Sequence, residues 1–342
     1  MLFRSLQHLD AAAYRTAKES WLATALAQHG LKPDRVAPLQ RLPAGTRRRA
    51  RFQIERGQVG FHVRASHRVI EVEECAVLHP KLVALVAPLR QVAATLLAGG
   101  KTATASATLA DNGIDLVIDL RAPFDLARLE ALAKFAAAQD LARLAWRSDD
   151  VTTPIAMRRK AQVTLAGVTV DLPEDAFLQP SVEAEAALTA AVLDFVGDAR
   201  NVADLYAGIG TFSFALARRA KVHAVEFDAG AVAALGRAAS RAGLAGVITT
   251  EKRDLAARPL DAEELSRFDA VVFDPPYAGA KEQSRELAAR RVPRIVAVSC
   301  NPATFARDAR ALVTGGYRLV EVRPFDAFVW SANLELVACF ER

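Results

Sequence analysis

The residues that could do chemistry sit in three short loops. Cys300 lies in Ser299-Cys300-Asn301-Pro302, directly after the apolar run Ile295 to Val298. Asp274 opens Asp274-Pro275-Pro276-Tyr277, 26 residues upstream of the cysteine, and also follows an apolar run. The third loop is Asp204-Leu-Tyr206-Ala-Gly208-Ile-Gly210-Thr211. Each reads as the carboxyl end of a parallel strand, where open α/β sheets hold their ligands. One loop offers a thiol, one a carboxylate beside a rigid Pro-Pro turn, and one a glycine turn for a nucleotide-like group. Together they point to a methyltransferase with a cysteine nucleophile.

Taken singly, each loop keeps an alternative. Gly208 and Gly210 let the backbone turn sharply and approach a ligand. Glu226 ends the following strand, where a carboxylate can accept hydrogen bonds from ribose hydroxyls. That much suits NAD and S-adenosylmethionine equally. The third glycine of G-x-G-x-x-G is replaced by Ser213, and a donor without a pyrophosphate does not need it. Asp254, past the next strand, could receive an adenine amine. A bare turn with no ligand is the plain alternative.

The thiol of Cys300 precedes a helix that Pro302 opens, so the helix dipole is expected to favour thiolate. Buried, inert cysteine is the competing reading, and it is the one adopted for Cys75 and Cys339. Asp274 could cap a turn or hold a target base on which Tyr277 stacks. The Asp-Pro-Pro-Tyr form also occurs in enzymes that methylate exocyclic amines, so Cys300 discriminates. Glu335 opens the last strand, where a solvated carboxylate is the bland reading. Gln179, before a helix, could meet a cofactor carboxylate or a base edge.

The elements that must position these groups change rhythm along the chain of 342 residues. The first half alternates hairpins and helices: a helix over 9–30, hairpins at 51–63 and 103–120, a strand from Val69, and helices at 80–97 and 125–138. Strands follow at 141–146 and 161–170. This is an α+β pattern. From about residue 176, strands at 202–206, 222–227, 247–251, 270–273 and 295–299 alternate with helices at 211–219, 229–242, 281–290 and 302–314. A terminal pair at 317–322 and 335–340 follows. That alternation predicts a doubly wound parallel sheet with an antiparallel hairpin at its end. Two domains are expected, 1–175 for RNA recognition and 176–342 for catalysis.

Between Arg41 and Arg68 there are eight arginines and one acid, Glu55. Such a cluster suits a polyanion, and Arg47, Arg48, Arg49, Arg51 and Arg64 are candidate RNA contacts. A solvated hairpin face is the alternative. The three cysteines form no C-x-x-C pair, which excludes a disulfide framework and suits a cytoplasmic protein. No stretch reads as a membrane span.

The chain resembles the RNA uracil-C5 methyltransferase family, most closely its 23S rRNA branch. The likeness rests on Phe177-Leu-Gln179-Pro-Ser, Asp204-Leu-Tyr-Ala-Gly-Ile-Gly-Thr-Phe-Ser, Val225-Glu226, Phe273-Asp-Pro-Pro, Ser299-Cys-Asn-Pro-Ala-Thr-Phe-Ala-Arg-Asp and Leu334-Glu-Leu-Val. Upstream, Leu6-Gln-His-Leu and Tyr14-Arg-Thr-Ala-Lys18 also match. The resemblance implies a class I methyltransferase sheet with S-adenosylmethionine as donor and RNA, rRNA ahead of tRNA, as partner. It implies that Cys300 adds to C6 of uracil, that Glu335 removes the C5 proton, and that Gln179, Tyr206, Gly208, Gly210, Thr211, Glu226, Asp254 and Asp274 line the donor site. Many relatives carry a TRAM domain and a four-cysteine iron–sulfur site. Arg4 stands at one of those positions and only Cys75 remains, so neither the domain nor the cluster is expected. Tyr277 replaces an arginine usual in the family, and Asn333 stands where histidine is common. An amino-directed methyltransferase and a catalytically weak RNA-binding homologue are the alternatives.

Overall fold

The structure is a computed structural model that describes residues 6–63, 66–97, 102–121, 125–149 and 151–342. Among the described residues two compact units emerge, and they are not contiguous in sequence: those from 43 to 164 and from 171 to 182 form one, and those from 6 to 42, 165 to 170 and 183 to 342 the other. The boundary expected at 175/176 therefore misplaces residues 6–42, because the helix Ala11–Gln28 builds into the catalytic unit. Asp10 caps this helix by accepting from Ala12 and Ala13 N–H. Leu22, Ala25 and Leu26 then enter the same apolar cluster as Phe305 and Leu312.

In the first unit a seven-stranded sheet runs in the order Val69–Glu71, Gln58–His62, Arg49–Glu55, Thr102–Ala110, Gly113–Asp119, Arg143–Ser148, Val151–Met157. Period-two alternation builds it. Ala50, Phe52 and Ile54 point into a core with Leu82, Leu89 and Trp146, while the odd-numbered residues between them face outward. The strand Val151–Met157 escaped the sequence reading: its residues are only half-buried or exposed, so no apolar pattern marks it. The expected single strand at 161–170 is two, Gln162–Leu165 and Val168–Asp171, broken at Ala166 and Gly167, which both have positive φ. The helix expected at 80–97 is also two, Pro80–Ala84 and Val86–Leu96.

The catalytic unit holds a nine-stranded sheet. Its order is Arg35–Val36, Arg318–Asp326, Glu335–Glu341, Arg294–Ser299, Ala270–Phe273, Asn201–Leu205, Lys221–Glu226, Ile248–Lys252, with Gln40–Arg41 also on Arg318–Asp326. The five strands from Arg294–Ser299 to Ile248–Lys252 are mutually parallel, and Glu335–Glu341 is antiparallel to both its neighbours. The doubly wound class with a terminal antiparallel hairpin is thus as expected. The helix expected at 211–219 shrinks to Ser213–Leu216, with turns on either side. The edge strands Arg35–Val36 and Gln40–Arg41, two residues each, were too short to leave a pattern. Among the described residues no helix is long and apolar enough to cross a membrane.

Candidate active site

Register alone assembles the chemistry. Ser299 pairs with Leu336 at the end of the antiparallel ladder, so the residues just beyond, Cys300 and Glu335, come to the same strand end, where the Glu335 charge acts on the thiol. Phe273 pairs with Ala297 on the other side of that strand and with Leu205 beyond it. The four strand ends therefore set Glu335, Cys300, Asp274 and Tyr206 along one edge of the sheet. Glu335 is 3% exposed, not the solvated residue of the bland reading. Burial, and then the charge of Asp274, push its carboxyl well above the usual range. Burial, Glu335 and Asp274 also push the Cys300 thiol up to about 12. This overturns the expected thiolate. A helix terminus supplies about half a charge, and here burial and two facing carboxylates outweigh it. Cys339 is buried, with its thiol pushed up to about 11, and Cys75 packs against the core of the first unit.

The two chemical loops are tied to each other. Asn301 caps the helix Pro302–Thr314, accepting from Ala303 N–H at 3.1 Å, while its amide donates to Tyr277 O at 3.1 Å. Thr304 Oγ1 donates to the same carbonyl at 3.2 Å, and Asp308 Oδ2 accepts from Ala280 N–H at 2.7 Å. Asn301, Thr304 and Asp308 share one helix face by their spacing of three and four. Gly279, at φ +80°, closes the loop against them: an added Cβ would lie 2.5 Å from Asp308 Oδ2. Sequence reasoning missed Thr304, Asp308 and Gly279 as members of the site, although the helical spacing was there to be read. Tyr277 itself is 63% exposed on this loop.

The glycine turn follows Tyr206, whose φ of +61° is uncommon away from glycine. Glu226 holds the turn. Its Oε2 accepts from Gly208 N–H at 2.9 Å, and its Oε1 from Phe227 and Asp228 N–H at 2.7 and 2.8 Å. A carboxylate has about four acceptor sites, which leaves room for a ribose hydroxyl. Gly210 lies behind, against Phe214, and Thr211 is half-buried beside it. A Cβ on Gly208 would meet nothing within 4 Å, so space is open there. Beneath the turn Asp204 is fully buried and accepts from Ser213 Oγ at 2.5 Å, while its Oδ1 has no partner among the described residues. Burial, with Asp274 and Glu226 nearby in charge, raises its carboxyl to about 7. Asp254 is exposed and accepts from Ala256 and Ala257 N–H, folding its own loop. Open space and a hydroxyl-accepting carboxylate fit the nucleoside of S-adenosylmethionine.

Gln179 and the described arginine candidates belong to the first unit. Gln179 is 2% exposed, and its carbonyl accepts from Arg48 Nε at 3.0 Å. Arg48 is 4% exposed, so it is a scaffold residue and not an RNA contact. Its even number gives it the inward parity of Ala50, Phe52 and Ile54. Arg47 and Arg49 are half-buried, Arg49 lying over the exposed Phe177 ring at 5.6 Å, whereas Arg51 is exposed. Arg64 and Arg4 lie outside the described residues.

Comparison with known proteins agrees with this geometry. Residues 157–342 match the tRNA (uracil-5-)-methyltransferase family. An uncharacterized RNA methyltransferase of Brucella suis is 40% identical over 338 residues, covering 98% of this chain and 80% of that protein. The 23S rRNA (uracil(1939)-C(5))-methyltransferase RlmD of Halomonas elongata is 33% identical over 363 residues, with 98% and 74% covered. Among solved structures, the Pyrococcus abyssi tRNA (uracil-54, C5)-methyltransferase with S-adenosyl-L-homocysteine superposes with a TM-score of 0.75 at 21% identity, over 98% of this chain and 84% of that one. That likeness fixes the class I methyltransferase fold. The family's chemistry at uracil position 5 also turns away the amino-directed alternative. The chain belongs to the tRNA (uracil-5-)-methyltransferase family, the S-adenosylmethionine-dependent RNA uracil-C5 methyltransferases.

Proposed function

We propose that this enzyme methylates C5 of a uridine in 23S rRNA through a covalent adduct between Cys300 and C6 of the ring. The observation that carries the reading is the ladder register that brings Cys300 and Glu335 to the same strand end. The rRNA substrate is supported by the Halomonas elongata relative, which is named for that RNA.

Uracil C5 is a weak nucleophile until C6 is attacked. Addition of Cys300 Sγ to C6 shifts the ring electrons toward O4 and C5. Because burial and the two carboxylates push the thiol up, we assign loss of its proton to the moment the S–C6 bond forms, with Asp274 as the acceptor. When bound, S-adenosylmethionine supplies an electrophilic methyl group and a positive charge that eases thiolate formation. Glu226 and the Gly208 turn hold its nucleoside. Glu335, ionised, then takes the proton from C5. A raised carboxyl is a stronger base than a free one. Loss of that proton restores the C5–C6 double bond and expels Cys300. The base must leave its stack to reach the sulfur, and we assign the exposed ring of Tyr277 to stack on it.

The test is labelled methyl transfer to 23S rRNA from a strain lacking the gene, followed by nucleoside mass spectrometry. We expect 5-methyluridine. Cys300→Ala should bind the donor normally and make none, and Glu335→Gln should accumulate a denaturation-resistant protein–RNA species. A methylated purine would refute the reaction, active Cys300→Ala would refute the nucleophile, and methylation of tRNA alone would refute the substrate.

A further inference from the structure

We infer that Lys18, with Tyr14 and Asp326, is a positioning device for the catalytic carboxylate of Glu335. The argument begins with a lysine that is 0% exposed on a helix the sequence places far from the catalytic strands. An ammonium has three donors and no acceptor. Two of Lys18's donors bond carbonyls of one loop, 327–334, and its charge pairs with Asp326 at the loop's entry. Nζ lies 2.9 Å from Asp326 Oδ1, donates to Phe328 O at 3.1 Å and donates to Asn333 O at 2.5 Å. Asp326 ends the strand that enters the loop, and Asn333 stands two residues before Glu335.

Tyr14, one helical turn earlier, holds the middle of the same loop. Its hydroxyl donates to Asp326 Oδ2 at 2.7 Å and accepts from Trp330 N–H at 2.9 Å. Trp330 sits at φ +57°, a conformation such a bulky residue keeps only when its surroundings impose it. Burial and the Asp326 carboxylate both raise the Tyr14 hydroxyl, so it stays a donor. Entry, apex and exit of the loop are thus each bound by a side chain from the Ala11–Gln28 helix. Glu335, opposite Phe325 in the ladder, inherits its place from both ends of that loop. Lys18 grips the carbonyl of residue 333 and not its side chain, which is exposed. A change of side chain there, such as the asparagine found here for histidine, leaves the grip intact. Moving a reacting group by about 1 Å can cost up to about a hundredfold in rate, which gives such a tether kinetic leverage.

This inference rests on Glu335 being the base that removes the C5 proton, so Glu335→Gln is run beside it. Single-turnover methylation of rRNA, KM for rRNA and donor, and the fraction of denaturation-resistant adduct are measured for Tyr14→Phe and Lys18→Met. Proton removal should slow about tenfold in Tyr14→Phe and up to about a hundredfold in Lys18→Met. Adduct should accumulate, with both KM values falling alongside turnover and not rising. A purely structural role would lower adduct formation, donor binding and turnover together, and that result overturns the inference. So does normal turnover in folded Tyr14→Phe, which removes one hydroxyl and decides the matter should Lys18→Met not fold. If Glu335→Gln itself builds no adduct, the base assignment has failed. If Glu335→Gln builds adduct and the tether variants do not, the positioning role alone has failed.

Discussion

Two buried carboxylates stand at opposite ends of one loop, and their surroundings differ in kind. Asp326, 0% exposed, meets the ammonium of Lys18 and the hydroxyl of Tyr14. Glu335, 3% exposed, faces another carboxylate, Asp274, and a thiol that its own charge raises. Burial is common to both, so burial does not make a site. Charge balance separates them. A paired carboxylate can serve as scaffold, whereas the carboxyl of Glu335, raised by burial and by Asp274, is suited to proton transfer.

The comparison breaks most easily at its balanced end. Lys18→Met leaves Asp326 buried without a counter-charge, and breaking a buried pair in this way costs about 3–5 kcal/mol. Glu335→Gln removes a carboxyl that burial and Asp274 already bias toward its neutral form, so its stability should change by less than about 1 kcal/mol. Urea unfolding of the two variants checks the contrast. Equal losses would show that charge balance is not what distinguishes the corners.

The carboxylate beneath the donor turn sharpens the point with pH. Asp204 titrates near 7 in the fold and near 3.8 as its reference value, so its ionised form costs the fold about 4 kcal/mol. Below pH 3.8 both states hold the proton and nothing is lost. As pH rises toward 7 the unfolded chain releases its proton first, so stability falls, and it levels off above 7. Asp204→Asn keeps an acceptor for Ser213 and removes the charge. We expect it to gain stability over the parent protein on going from pH 4 to pH 8, by up to about 4 kcal/mol less the cost of any unpaired amide N–H. A difference that does not vary with pH would remove burial as the cause.

Much of the catalytic edge could be read in advance because it is local. Apolar runs ending at Phe273 and Ser299 announce buried parallel strands, and the loops after them announce Asp274 and Cys300. Pro302 after Asn301 marks the helix start that the structure confirms. What stayed hidden was set by contacts between distant residues. Nothing near Tyr14 or Lys18 in sequence says that their partners lie more than 300 positions away, so the Ala11–Gln28 helix was given to the wrong unit. The protonation of Cys300 was hidden for the same reason. The helix dipole is visible in sequence, while Glu335 and Asp274 face the sulfur only once the register is fixed. Arg48 is the opposite case, since its inward parity was legible and was masked by its place in a basic cluster.

The smallest expected effect tests whether that register governs the sulfur. Cys339 is buried and Cys300 half-buried, so alkylation by iodoacetamide should follow the thiolate of Cys300 more closely. With the thiol near 12, the rate at that residue should still climb about tenfold per pH unit between 8 and 10, when followed by peptide mass spectrometry. In Glu335→Gln one of the two facing charges is gone, which lowers the thiol, and the rate at a fixed pH of 10 should rise by about three- to tenfold. Asp274→Asn should act in the same direction by a smaller factor, because Glu335 is the larger of the two charge effects on the sulfur. If neither variant alters the rate, burial alone governs the thiol, and Glu335 and Asp274 have no electrostatic hold on it.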